Sequence, residues 1–240
     1  MEEGYEYPDI FDRVTLTLIQ SRNLDTARLE EAETRILSPV VERFVRRRRE
    51  RLLDLGCGTG RLTIKFSGCF NEVTALEPDR LRMQHTKQSI RREGIRNVTC
   101  LQAPFLDAGF GDETFDVVLC NQVMQHIDTN RIEPMLQGIL RVLRQDGILV
   151  LTTSYSNREE DFFLKAFVEK GEVFRTEISE PEFNRLVVNK ERSLPIHYFT
   201  ADTLRNGLAG FTETETSIFT DAYPDPMLDT ILVLGKRSPS

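Results

Sequence analysis

The strongest constraint on the fold is the stretch 52–63, where a short apolar strand runs into three glycines. These glycines occupy alternate positions, Gly56, Gly58 and Gly60, and an amphipathic helix is predicted to begin near Arg61. A strand, a glycine turn and a helix N-terminus together place backbone N–H groups against a ligand with no side chain in the way. The stretch therefore predicts a binding site at the carboxyl end of the strand.

An acidic residue on the next predicted strand indicates the kind of ligand. Glu77 follows the apolar residues 73–76, and a carboxylate there can accept both hydroxyls of a ribose. The dinucleotide fingerprint fails, because Arg61 stands where its third glycine belongs. The P-loop pattern fails as well, since no Gly-Lys-Ser/Thr follows the glycines. The pattern predicts a nucleoside site of another type.

The glycine spacing resembles motif I of the class I S-adenosylmethionine (SAM) dependent methyltransferases, in which an acidic residue precedes Gly-x-Gly-x-Gly. Asp54 and the three glycines match that motif, and Glu77 with Pro78 is similar to the family's ribose-binding second motif. The resemblance implies an enzyme that uses SAM and releases S-adenosylhomocysteine (SAH).

The same resemblance implies a cofactor site that continues along the next loops. The residues it implies are Asp54, Gly56, Cys57, Gly58, Gly60, Glu77, Pro78, Gln102, Ala103, Asn121 and Gln122. Gln102 stands where the family usually carries an acid, so an amide would meet the adenine edge. Cys57 is expected to pack against the ligand. No metal ligand is predicted.

His126 is the candidate base, because many small-molecule members of the family carry a histidine at this place after the fourth strand. In the similar phosphoethanolamine methyltransferases that histidine pairs with an N-terminal tyrosine, which implies Tyr7, or Tyr5, as its partner here. A base is needed where the acceptor is a hydroxyl or a protonated amine. A histidine that packs without moving a proton is the equal alternative. His197 is a further candidate for the acceptor pocket.

Strands and helices alternate after the glycine turn, which indicates the α/β class. The resemblance implies a Rossmann-like, mostly parallel sheet of seven strands in the order 3-2-1-4-5-7-6, with the last strand antiparallel. Strands are expected over 51–55, 73–76, 97–101, 115–120, 148–153, 213–220 and 230–236, and helices over 79–92, 131–144 and 201–208.

One methyltransferase domain is expected to cover residues 1–240. Residues 1–48 would form a helical cap, 49–153 the cofactor-binding core, and 200–240 the last helix and strands. Residues 154–199 are rich in phenylalanine and longer than a usual connection. They are expected to form a short helix and an extended pair, either as an acceptor lid or as the surface of a homodimer.

Composition narrows the function classes. A net charge of −7 and a pI near 5.2 argue against a nucleic-acid substrate. No apolar run is long enough to span a bilayer, and the acidic first residues do not form a signal peptide. Four cysteines without Cys-x-x-Cys spacing favour reduced thiols and a cytoplasmic protein. With a nucleic-acid substrate disfavoured, the family resemblance implies a small-molecule acceptor that is methylated on oxygen or nitrogen.

Three other kinds of methyltransferase do not fit the residues after the fourth strand. A nucleic-acid enzyme acting on exocyclic amines would show Asn/Asp-Pro-Pro-Tyr/Phe, and Asn121 is followed by Gln-Val-Met. A cytosine C5 enzyme would need Pro before its nucleophile, and Leu119 precedes Cys120. A metal-dependent catechol enzyme would want acids beside Asn121. A peptide or protein acceptor, and a non-catalytic SAM-binding partner subunit, stay open.

Overall fold

The computed structural model describes residues 31, 33–37, 39–40, 51–189, 193–220 and 229–237. Tyr5, Tyr7 and most of the predicted cap lie outside the described residues. Within the described part of that cap, residues 33–37 are helical.

The described ranges after that segment contain ten strands and five helices. The strands are β1 (Arg51–Leu55), β2 (Glu72–Leu76), β3 (Val98–Leu101), β4 (Phe115–Asn121), β5 (Leu143–Ser154), β6 (Phe162–Glu169), β7 (Glu172–Ile178), β8 (Leu194–Tyr198), β9 (Phe211–Phe219) and β10 (Thr230–Arg237). The helices are α1 (Arg61–Ser67), α2 (Arg80–Arg92), α3 (Thr129–Val142), α4 (Glu180–Asn189) and α5 (Ala201–Gly207). Single 3-10 turns lie at Phe105–Asp107 and Met124–His126.

The main sheet has the order β3-β2-β1-β4-β5-β10-β9. Strands β1 to β5 pair in parallel, and β10 runs antiparallel to both of its neighbours. Numbered by their place in this sheet alone, the strands read 3-2-1-4-5-7-6, because β6, β7 and β8 belong to another sheet. The predicted fold class and the antiparallel last strand are confirmed.

Helices cover both faces of the main sheet, which explains why its central strands are apolar on both sides. On one face Leu53 of β1 packs in a cluster with Ile139 of α3. On the other face Leu52 packs in a cluster with Phe66 of α1 and Leu37 of the N-terminal helical segment. The two clusters clamp the carboxyl ends of β1 and β4 in place, and the loops that follow these strands build the site.

Helix boundaries follow their caps. Helix α3 begins two residues before its predicted start, because the Asp128 side chain accepts a hydrogen bond from the N–H of Asn130. Helix α5 begins as predicted, with Thr200 accepting from the N–H of Thr203. Asp79 caps α2 by accepting from the N–H of Arg82.

Residues 154–199 contain one more strand than predicted. Strands β7, β6 and β8 form an antiparallel sheet in that order, and α4 lies between β7 and β8. The predicted pair of extended segments is wrong, because aromatic residues pair across both edges of β6 and a third strand is added. Phe167 lies opposite Phe174, and Phe162 opposite Tyr198, with 4.5 Å between the last two ring centroids. We call the segment from β6 to β8 the lid.

Candidate cofactor and acceptor site

The glycine turn after β1 requires glycine for two reasons. Gly56, Gly58 and Gly60 have φ values of +74°, +57° and +83°, a region that residues with a side chain rarely adopt. A Cβ on Gly56 would lie 2.5 Å from Cγ2 of Val123, and one on Gly60 would lie 2.7 Å from Cγ2 of Thr86. The turn is therefore packed tightly against α2 and the loop after β4.

A cavity of about 640 Å³ opens beside this turn, where the strand order reverses between β1 and β4. The predicted cofactor residues that line it are Asp54, Gly56, Cys57, Gly58, Glu77, Pro78, Ala103, Asn121 and Gln122. His126 lines it too. Within the described residues, Gly60 and Gln102 are absent from the lining. Gly60 serves the packing of the turn, and the side chain of Gln102 is exposed.

Glu77 is held against the glycine turn by backbone groups. Its Oε2 accepts from the N–H of Gly58 at 2.9 Å, and its Oε1 accepts from the N–H of Asp79 at 3.0 Å. The side chain is buried, which raises its pKa, while the two N–H donors act in the opposite direction. The carboxylate is thus fixed where the sequence predicts a ribose.

Asp54 is buried at the end of β1. Its Oδ2 accepts from the hydroxyl of Thr63 at 2.5 Å. Burial raises the pKa of Asp54 to about 6, the Thr63 hydrogen bond opposes that rise, and the carboxylates of Glu33 and Glu77 add to it. The inner end of the cavity therefore carries a concentration of acidic groups.

An ion pair that the motif comparison missed completes this inner end. Glu33 and Arg61 pair with each other, and both line the cavity. The Oε1 of Glu33 also accepts from Nδ2 of Asn121 at 2.7 Å, and Oδ1 of Asn121 accepts from the hydroxyl of Thr152 at 2.6 Å. Asn121 is therefore oriented by both neighbours.

The sequence does contain a pattern that could have identified Glu33 as a site residue. Glu33 stands four residues before Leu37 and seven before Val40, so it lies on the apolar side of the N-terminal helix. A carboxylate on a buried helix face needs a partner, and its partners are supplied by α1 and β4.

The loop after β4 is braced by amides and hydroxyls. Gln122 has a φ of +56°, and its Nε2 donates to the hydroxyl of Thr230 at 3.3 Å. Its Oε1 accepts from Nε2 of Gln125 at 2.6 Å, and Oε1 of Gln125 accepts from the hydroxyl of Thr153 at 3.0 Å. The polar atoms of Gln122 thus hold the loop as well as lining the cavity.

His126 is oriented by the lid. Its Nδ1 lies 2.9 Å from the backbone oxygen of Pro195 in β8. A carbonyl accepts hydrogen bonds and cannot donate, so Nδ1 carries the proton and Nε2 carries the lone pair of the neutral ring. Desolvation lowers the pKa of His126 to about 4, and Arg82 adds to that effect, while the Pro195 contact opposes both. The ring is neutral at physiological pH.

His197 lies inside the lid and is not among the described residues that line the cavity. Its Nε2 lies 2.8 Å from Oδ2 of Asp161, and its ring packs 4.4 Å from Phe163 and 3.7 Å from Phe199 between centroids. The hypothesis that His197 lines the acceptor pocket is therefore wrong, because the carboxylate and the aromatic rings hold it in the interior.

Burial disfavours the thiolate form of the two innermost cysteines, Cys57 and Cys120. All four are free thiols, and Cys57 and Cys120 are buried. Burial raises the pKa of both, that of Cys120 to about 12. A protonated thiol is a poor nucleophile, which agrees with the predicted packing role of Cys57.

The part of the chain that the structure describes lacks two further features. No group of His, Cys, Asp or Glu side chains there could hold a metal ion. No helix there is long and apolar enough to cross a membrane.

A seven-stranded sheet of this order, with a glycine turn after β1 and a buried acid after β2, is typical of the class I SAM-dependent methyltransferases. Residues 52–147 match the family described as methyltransferase domain. Over its core the chain is therefore similar to that family, whose cofactor is SAM.

The relatives differ in their named activities, and one of them is the malonyl-[acyl-carrier protein] O-methyltransferase of Bacillus cereus, 29% identical over 49% of this chain and 42% of that protein. The uncharacterized methyltransferase YcgJ of Bacillus subtilis is 27% identical over 150 residues, which is 62% of this chain and 58% of that protein. The chain spans about half the length of the curated relatives it matches.

Two solved structures show the same fold. The 1,6-didemethyltoxoflavin-N1-methyltransferase of Burkholderia thailandensis, solved with bound SAH, has a TM-score of 0.62 and 17% identity, covering 100% of this chain and 94% of its own. The [4+2]-cyclase SpnF has a TM-score of 0.66 and 15% identity over 100% of both chains. A cyclase in this fold means that methyl transfer has to be argued from the site.

Proposed function

We propose that this protein transfers a methyl group from SAM to an oxygen or nitrogen atom of a small-molecule acceptor and releases SAH. The supporting observation is one cavity that joins the glycine turn, the ribose acid Glu77 and the oriented ring of His126. A sulfonium is already an activated electrophile, so the enzyme has to align the acceptor and exclude water. Alignment of this kind contributes on the order of 7–11 kcal/mol.

The adenosine half is assigned to the glycine turn and the second strand. Each carboxylate oxygen of Glu77 accepts one backbone N–H and keeps acceptor capacity for a ribose hydroxyl. Pro78 and Ala103 line the cavity beside it, and both are small enough for close approach of a flat base.

The amino-acid half is assigned to the inner end of the cavity. SAM carries an ammonium and a carboxylate there, and the ion pair of Glu33 and Arg61 offers one group of each sign. Asp54 adds a second acid, whose pKa is raised chiefly by burial and further by the negative potential of Glu33 and Glu77. A ligand ammonium would relieve that potential. Asn121 completes the set with a neutral amide.

This assignment is tested with two ligands that differ by the amino-acid end. SAH carries that end, and 5'-methylthioadenosine lacks it. Calorimetry should show that Glu33→Gln and Arg61→Gln each weaken SAH binding by about tenfold or more while methylthioadenosine binding is unchanged. Glu72→Gln is the control, since that side chain is 66% exposed and pairs with Arg51 away from the cavity.

The results distinguish the role of the ion pair from the existence of the cofactor site. Equal losses for both ligands would give the ion pair a structural role. No binding of SAH to the unaltered protein would overturn the cofactor site itself.

His126 is assigned as the base. The neutral ring offers the lone pair of Nε2 to the acceptor, and the Pro195 contact fixes this tautomer. Nε2 would take the proton of an acceptor hydroxyl as its oxygen bonds to the methyl carbon and sulfur departs as the leaving group. An acceptor ammonium would first give its proton to Nε2, which frees the nitrogen lone pair for the same displacement. Its predicted partner Tyr7 lies outside the described residues and stays a prediction.

Turnover is tested with methyl-labelled SAM in an extract of the source organism, separated by size. Label in the metabolite fraction would support the proposal. Label in the protein fraction would replace it with a peptide acceptor, and no label in either fraction, with SAH binding confirmed, would favour a partner subunit.

A further inference from the structure

The lid helix α4 is joined to the start of α3 by three hydrogen bonds. Asn184 accepts from the N–H of Thr129 at 2.9 Å and donates from Nδ2 to the Thr129 hydroxyl at 2.8 Å. That hydroxyl donates in turn to Oε1 of Glu180 at 2.7 Å. These bonds place one side of α4 next to the first turn of α3, at the cavity.

The same side of α4 carries two valines that line the cavity. Val187 and Val188 follow Asn184 by three and four residues, the spacing of neighbours on one helix face. Val188 is 63% exposed, more than any other large hydrophobic residue among those described. Apolar surface left exposed beside a cavity is a typical feature of a ligand-binding wall.

At the start of α3 lies a cation that has no counter-ion among the described residues. Arg131, two residues after Thr129, lines the cavity and is exposed. Its guanidinium has no ion pair or hydrogen bond within the described ranges. The nearby carboxylate of Asp128 already accepts from the backbone N–H and the side-chain amide of Asn130. Arg61, by contrast, is paired with Glu33.

An apolar surface extends from Arg131 along α3. Met135 lies one turn further and lines the same cavity. Gly138 follows it, and a Cβ there would lie 3.6 Å from Cδ2 of Leu106, a cavity residue that is 41% exposed. Seven residues of helix separate Arg131 from Gly138, a rise of about 10 Å.

We propose that the methyl acceptor is an amphipathic small molecule, with an apolar body and an anionic group that is a carboxylate or a phosphate. The anionic group pairs with Arg131, and the apolar body lies against the lid valines and the surface formed by Met135 and Leu106. This inference rests on the proposed function, because it assigns the acceptor to the part of the cavity shared by the lid and His126.

The test uses the full chain saturated with SAH and three probes of equal chain length, namely octanoate, octyl phosphate and 1-octanol. Calorimetry should show at least one of the anionic probes binding about tenfold more tightly than octanol. Arg131→Gln should remove that preference, and Arg131→Lys should restore part of it. Val188→Ser should weaken all three probes alike, since it changes the apolar wall alone.

Arg141→Gln is the matched control, because Arg141 lies on the same helix with its guanidinium bonded to Asp112 and to the carbonyl of Phe110. It should keep the preference for the anion. Octanoate and octyl phosphate distinguish the two anionic groups.

Three results would overturn the inference. These are no binding of any probe to the unaltered protein, no preference for an anion, and a preference that survives Arg131→Gln. Binding of SAH is measured first in every variant, so a failure of the cofactor site is seen separately from a failure of the acceptor inference.

Discussion

The acidic inner end of the cavity should reduce the stability of the free protein, and Asp54→Asn measures by how much. Burial raises the pKa of Asp54 from 3.8 to about 6. A carboxyl group with a higher pKa in the folded state stabilises the fold most at low pH, and that contribution is lost as the pH rises through about 6. The difference of about two pH units corresponds to about 3 kcal/mol.

Asparagine has nearly the shape of aspartate, can accept from the Thr63 hydroxyl and carries no charge. We therefore expect Asp54→Asn to raise the free energy of unfolding by about 3 kcal/mol at about pH 7.5, because the buried charge is removed. For a chain of this size the melting temperature should rise by about 6–12 °C. The gain should shrink as the pH is lowered to about 4, where the folded wild-type carboxyl is protonated.

Thermal melts of the free protein across this pH range are the assay, with urea titrations giving the free energies. Asp202→Asn is the control, since that side chain is 83% exposed and should show no comparable change. A melting temperature equal to or below that of the wild type at about pH 7.5, or a gain that does not depend on pH, would refute the reasoning. The same substitution should weaken SAH binding, because it removes a negative charge that attracts the ammonium group of the ligand.

Three further expectations concern single residues. Glu77→Ala should cost about 1–3 kcal/mol of SAH binding by calorimetry, because ribose hydroxyls lose their acceptor, and unchanged affinity would contradict the assignment. His126→Ala should lower turnover and leave SAH affinity nearly unchanged. Because the pKa of His126 is lowered to about 4, protonation of this ring should reduce the wild-type rate only as the pH approaches that value. Gly60→Ala should lower the free energy of unfolding by about 1–3 kcal/mol, through backbone strain and the contact with Thr86. Gly94 has a φ of +66° and no atom within 4 Å of an added Cβ, so Gly94→Ala measures the strain alone. Equal losses of stability in thermal melts would show that the contact with Thr86 is harmless.

Local pattern was sufficient for the core of the fold. The glycines after β1 need positive φ and absent side chains, and both requirements are visible as residue type and spacing. Alternating strands and helices indicated the parallel α/β class, and the resemblance of the glycine motif to a known family implied the order of the main sheet. Nine of the eleven cofactor residues that the resemblance implied line the cavity, because they end or follow neighbouring parallel strands.

The details of the site depended on contacts between distant parts of the chain. Glu33 reaches Asn121 across 88 residues, and His126 owes its tautomer to the carbonyl of Pro195, 69 residues away. Such long-range pairs cannot be predicted from the spacing of residues that are close together in the sequence. His197 shows the same limit, because its type and position suggested a pocket residue and its packing against Asp161 placed it in the lid interior.

The sequence by itself determined that a nucleoside site lies after β1, because backbone geometry there depends on residues close together in the chain. The tertiary structure alone decided which side chains line the part of the cavity proposed for the acceptor. The lid valines and Arg131 become neighbours through the bonds between Thr129 and Asn184, which are 55 residues apart. Such a contact forms because two surfaces fit and satisfy each other's polar groups, a property of the folded chain and of no single segment.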